Sequence, residues 1–155
     1  MKKKLLIVSI CLVSVFLLTA CGISKKQAVT VDGFTEVAEK SNMKVQNVID
    51  QFEESPQVLT ATVAYVEGEW QLEHYTLDSV KETEDMFNRN KKAFLEAKTS
   101  SSKELEVKND TYEKYVLETF DKYKVLIRVD TMVIYGNVPI KYKSNAIAFL
   151  KELGY

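Results

Sequence analysis

Two stretches of the chain alternate polar and apolar residues across a tight turn, and this restricts the fold more than any other feature. The first is "VLTATVAYVEGEWQLEHYTL", residues 58–77, which reads as a β-hairpin. A two-residue turn at Glu67-Gly68 sets Tyr65 against Trp70, Val63 against Leu72, Ala61 against His74 and Leu59 against Thr76. One face is then apolar (Leu59, Ala61, Val63, Tyr65, Trp70, Leu72), and the other carries Thr60, Thr62, Gln71, Glu73 and Tyr75. One dry and one wet face is the antiparallel pattern. The second stretch is "KYKVLIRVD" followed by "TMVIYGNV". A turn at Asp130-Thr131 pairs Val129 with Met132, Ile127 with Ile134 and Val125 with Gly136. "TYEKYVLETF" before it reads as a third strand.

Helices fill the intervals. Ser79-Val80-Lys81-Glu82 has the form of a capping box and starts a helix that runs to about Lys98. Its apolar side holds Val80, Met86, Phe87, Ala93, Phe94 and Ala97, with Thr83 and Asn90 among them. "TSSSKE" after it reads as a polar loop. A last helix enters at Pro139, carries Tyr142, Ala146, Phe149, Leu150 and Leu153, and stops at Gly154. A short helix begins near Gly33, with Phe34, Val37 and Ala38 in helical spacing. "MKVQNVIDQF" fits either a helix or a strand, and its valines favour a strand.

These elements predict an α+β domain: an antiparallel sheet of five to six strands, its dry face covered by the two longer helices, with a short N-terminal helix. In both halves a hairpin leads into a helix, and Ala93-Phe94-Leu95 reappears as Ala148-Phe149-Leu150. The matching order suggests a β-β-β-α duplication.

The N-terminus places the chain. In "MKKKLLIVSICLVSVFLLTACG", Lys2, Lys3 and Lys4 precede an apolar core from Leu5 to Leu18, and small residues follow. These are the parts of a secretory signal. Leu18-Thr19-Ala20-Cys21-Gly22 resembles the lipobox of bacterial lipoprotein precursors. That resemblance implies a diacylglyceryl group on Cys21, cleavage just before it, and anchorage to the extracytoplasmic face of the cell membrane. Two acyl chains hold a small protein firmly where one does not. The expected organisation is a signal peptide over 1–20, a lipidated tether over 21–32 and one domain over 33–155. Cys11 leaves with the signal, so the mature domain has no internal disulfide.

Charge and motifs narrow the chemistry. The chain has 22 acidic residues against 21 basic ones, three of them in the signal, so the rest carries about −4 and nothing points to nucleic acid. His74 is the single histidine, and the register places it at the rim of the dry face. One histidine and no free mature cysteine do not make a structural zinc site. The acidic clusters "EGEW", "KETED" and "KND" lack calcium-loop spacing and read as solvated faces. No phosphate-binding, dinucleotide-binding or nucleophile-elbow motif occurs. The expectation is therefore a protein without catalytic residues, metal or cofactor.

The candidate contact surface is the face of the sheet away from the helices. Tyr75, Tyr115, Arg128 and Tyr135 fall there with Leu126 and Val133. Aromatics with an arginine are the material of interface hot spots. The sequence thus predicts a non-enzymatic binding or accessory module near the membrane, whose partner is an envelope protein, a wall polymer or a small ligand. The other class is a small envelope enzyme with a site built from scattered acids and tyrosines, recognisable by a deep pocket with convergent polar groups.

Overall fold

The computed structural model describes residues 26–155. The expected signal segment, Cys21 and the first part of the expected tether lie outside the described residues. Strands β1 (Lys44–Asn47), β2 (Val58–Val66), β3 (Trp70–Leu77), β4 (Lys103–Lys108), β5 (Tyr112–Glu118), β6 (Lys122–Val129) and β7 (Met132–Pro139) form one antiparallel sheet, in the order β1-β2-β3-β7-β6-β5-β4. Helices α1 (Val31–Lys40), α2 (Val80–Glu96) and α3 (Lys143–Glu152) complete the α+β fold, with short 3-10 turns at Ile49–Phe52 and Ile140–Tyr142. Thr30 caps α1 by accepting a hydrogen bond from Gly33 N, and Ser79 caps α2 by accepting one from Glu82 N.

The sheet has seven strands rather than five or six. The additional one is β4, which begins inside the segment expected to be a loop. Every residue of β4 is exposed. It is an edge strand held by pairing with β5, from Lys103 opposite Glu118 to Lys108 opposite Glu113.

The β6–β7 hairpin has the expected register, with Val129 opposite Met132 and Val125 opposite Gly136. The β2–β3 hairpin does not. Val66 pairs with Trp70, Ala64 with Leu72 and Thr62 with His74. The loop has three residues, Glu67 to Glu69, and Gly68 sits at φ 71°. A left-handed residue is what a three-residue hairpin loop demands, and glycine adopts it without strain. A slip of one residue turns a strand over. Ala61, Val63 and Tyr65 therefore lie on the opposite face from Trp70 and Leu72.

The helices divide between the two faces, which corrects the expectation that both longer ones share one. Phe34 and Ala38 of α1 and Ala146, Phe149 and Leu150 of α3 pack on Leu72, Val125, Ile127 and Ile134. Met86, Phe87 and Phe94 of α2 pack on the other side, against Leu77, Leu117, Leu126 and Val133. The physical reason lies in the central strands. Val125 to Val129 is buried residue after residue, so both faces there need cover. The split also removes the duplication. With β3 antiparallel to β7 at the centre, a duplicated unit is related by a twofold axis normal to the sheet, which leaves both helices on one face.

Candidate functional site

Tyr75, Tyr115, Arg128 and Tyr135 do share one face of the sheet, but that face lies under α2. Tyr115 is 0% exposed and Arg128 2%, while Tyr75 and Tyr135 are half-buried. Tyr115 donates a hydrogen bond to Glu104 Oε1 at 2.8 Å, and Lys91 Nζ of α2 stands 4.9 Å from its ring centre. Arg128 NH2 lies 3.6 Å from the buried Glu113, and its NH1 lies 3.4 Å from Glu84 of α2. Tyr135 rests on Phe94, with ring centres 5.4 Å apart. As an open contact surface the set is therefore corrected: it is the packing layer beneath a helix. Leu126 and Val133 on the same face were the signal, because aliphatics between aromatics call for a cover.

Only Tyr75 of the four reaches an open site. Helix α2 lies over the β3, β7, β6 and β5 part of this face. The neighbouring strip over β1, β2 and β3 forms a cup of about 430 Å³, walled at one end by the 3-10 turn at Ile49–Phe52. Glu73 lies on its floor between Val63 of β2 and Tyr135 of β7. One Glu73 oxygen accepts a hydrogen bond from Gln71 Nε2 at 2.8 Å, and the other accepts a bond from the Tyr75 hydroxyl. Gln46, Gln51 and Tyr65 add polar groups to the walls, and Phe52 meets Tyr75 edge to face at 5.5 Å. The sequence pattern showed Gln71, Glu73 and Tyr75 facing away from Trp70. It did not show the 3-10 turn that converts this flat strip into a cup.

The electrostatics of the cup fix the Tyr75 hydroxyl as a hydrogen-bond donor to Glu73. Burial, then the hydrogen bond to Glu73, pushes the Tyr75 phenol well above the ordinary tyrosine value. It stays protonated and serves as a fixed donor. Tyr135 is also raised, first by burial and then by the charge of Glu73. Glu73 is thus a carboxylate oriented by two donors, with lone pairs left for a third. Three glutamine amides offer both donors and acceptors around it. No serine, threonine, cysteine, lysine or histidine side chain lines the cup.

His74 occupies the opposite face and is fully buried, in contact with Phe34. Its Nε2 lies 2.9 Å from the carbonyl oxygen of Val29, which only accepts, so Nε2 carries the proton. Burial lowers its pKa from the ordinary 6.5. It therefore packs as a neutral ring against the chain that leads into α1. Among the described residues no group of three or more histidine, cysteine, aspartate or glutamate side chains is placed to hold a metal ion.

Comparison of the chain with protein-family models, with curated proteins and with solved structures gave no match. The site is accordingly read from its own chemistry.

Proposed function

We propose that the protein is a lipid-anchored, extracytoplasmic binding module, held to the cell membrane through Cys21, whose cup over β1–β3 takes a polar envelope ligand. The reading rests above all on Glu73, a half-buried carboxylate oriented by Gln71 and Tyr75 on the floor of a polar cup. A carboxylate among amides and aromatic rings suits ligands rich in amine and hydroxyl groups. Wall-polymer fragments have that chemistry. The rings of Phe52 and Tyr65 offer apolar faces to the non-polar sides of such a ligand. The protein works by contact, as a binding or accessory module, and not as an enzyme.

Two measurements test this. Titration of soluble wall-polymer fragments into the protein should give saturable binding that Glu73→Gln weakens roughly tenfold or more, since a hydrogen bond to a charged group contributes about 1.5–3 kcal/mol. Equal binding by both forms, or none by either, removes the assignment of the cup. For the anchor, Cys21→Ala should abolish fatty-acid labelling and leave the precursor uncleaved. A labelled Cys21→Ala protein removes the lipoprotein reading.

A further inference from the structure

On the other side of the molecule, a groove of about 310 Å³ runs between α3 and the edge strand β4, with β5 as its floor. Exposed aliphatics line it, Leu105 at 53% on β4 and Ile147 at 42% on α3, and Val107 at 38% continues the same face of β4 beyond it. Three lysines, Lys103, Lys114 and Lys143, line it against the carboxylates of Glu118 and Glu104. Glu118 is already engaged, paired with Lys143 and 4.0 Å from Lys103. Glu104 accepts bonds from Lys98 and from Tyr115 on the opposite face.

The described end of the tether runs along the C-terminus, beside the Lys114 end of this groove. Lys26 Nζ donates to the Gly154 carbonyl at 2.5 Å, and the Tyr155 hydroxyl bonds both Gln27 O (2.6 Å) and Val29 N (3.0 Å). Tyr155 in turn stacks on Tyr112 at the start of β5, with ring centres 6.4 Å apart. Residues 26–30 are therefore fastened to the C-terminus and are not slack linker. Lys26 also acts on Lys114. Burial, and then the like charge of Lys26, lowers the Lys114 pKa. Among the described residues neither ammonium lies within salt-bridge distance of a carboxylate. From Cys21 to Lys26 the chain spans at most about 18 Å, whatever its path.

We infer that the β4–α3 groove is a membrane-docking surface, in which Lys26, Lys103 and Lys114 take the phosphate of an anionic phospholipid while Leu105, Val107 and Ile147 enter the interface. The inference deepens the anchored reading above and rests on it for the short tether. Charge complementarity and the entry point of the tether select a lipid surface as occupant. Docking there turns the opposite face, with its cup, away from the bilayer and towards the wall.

The test uses the full chain in phosphatidylglycerol–phosphatidylethanolamine vesicles, with Leu105→p-benzoylphenylalanine as a photo-crosslinker. The same replacement at the exposed Leu59 is the control. The position 105 variant should yield lipid adducts several-fold above the position 59 control. The adducts should fall roughly fivefold or more with Lys103→Glu, the factor one lysine contributes near an anionic leaflet. Lys103 is 82% exposed, so that variant keeps the fold. Neutral phosphatidylcholine vesicles should give the same fall. Equal adduct yields from position 105 and position 59, on protein that floats with the vesicles, overturn docking and leave the anchor standing. Adducts to a second copy or to residues 1–25 overturn it as well. A Cys21→Ala chain that still gives the position 105 adduct supports docking independently of the anchor, which the fatty-acid labelling above tests. A chain that does not float removes both.

Discussion

The two faces of the sheet are packed by different means. Under α1 and α3 lies one continuous cluster, in which Phe34, Leu72, Val125, Ile127, Ile134 and Leu150 are essentially inaccessible. Under α2 the apolar contacts fall into two smaller clusters. Between and beside them sit Arg128, Glu113 and the Tyr115–Glu104 pair. The first face owes its stability to close packing. The second also carries charges that folding has had to desolvate. Open functional groups, Glu73 and Tyr75 above all, occur on this second face, where the helix stops covering the sheet.

The largest expected effect tests whether the α2 face depends on its buried charges. Arg128 is 2% exposed, and its Nε and NH1 have no hydrogen-bond partner among the described residues. Glu113 is the buried anion beside it. Glu113→Leu removes the buried anion, leaves Arg128 only the half-exposed Glu84 of α2, and should cost about 3–5 kcal/mol of stability, as breaking one half of a buried pair does. Adding Arg128→Met should restore most of the loss, since an apolar replacement of the whole pair is often neutral or stabilising. Chemical denaturation of the two variants checks this. A double variant no more stable than the single one means that the charges hold α2 in place.

The opposite face should be broken by bulk rather than by charge. A Cβ on Gly136 would meet Leu72 Cδ2 at 2.5 Å and Val125 Cγ1 at 2.9 Å. Gly136→Ala should therefore cost about 1–3 kcal/mol through overpacking. Gly68→Ala, in the β2–β3 loop, meets no atom within 4 Å, and its cost comes only from φ 71°. Thermal melts of both variants separate crowding from backbone strain.

Legibility in the sequence followed the same division. The β6–β7 register could be read because Asp130-Thr131 is a true two-residue turn. The Ser79 cap and the buried side of α2 at Met86, Phe87 and Phe94 could be read from spacing. What alternation cannot convey is the number of residues a loop consumes, and a third residue at Gly68 was enough to turn β2 over. Nor does a helix's apolar stripe record which face of a sheet it meets. Strand β4 escaped because an exposed edge strand buries neither of its faces. Of the candidate site, Tyr75 was legible; Glu73 became significant only once the 3-10 turn stood over it.

A pH titration probes the first face through His74. Burial depresses its folded-state pKa below the ordinary 6.5, so the unfolded chain binds the proton more readily. Stability should be fully present above pH 6.5 and should decline as pH falls from there towards the folded value, by at most about 1.4 kcal/mol per pH unit. Protonation would place a second N–H at Nδ1, which is buried and has no partner among the described residues. His74→Gln should flatten this part of the profile. An unchanged slope would assign the acid sensitivity to carboxylates instead.

The smallest effect on stability should come from the cup. Tyr75→Phe keeps the ring against Phe52 and removes only the hydroxyl that bonds Glu73. Because Glu73 is half-buried and keeps its bond from Gln71, the cost should be about 0.5–1.5 kcal/mol, the ordinary net worth of one hydrogen bond. The effect on ligand should be of a different kind. Without the Tyr75 donor, the Glu73 oxygen that faced it is free to rotate, and the geometry that selects a ligand is lost while the charge remains. Tyr75→Phe should therefore relax discrimination among amine- and hydroxyl-bearing fragments more than it lowers affinity for any one of them. Glu73→Gln should lower affinity for all. Parallel titrations of the two variants make the comparison. A Tyr75→Phe profile identical to that of the unaltered protein would mean that the tyrosine serves only the fold.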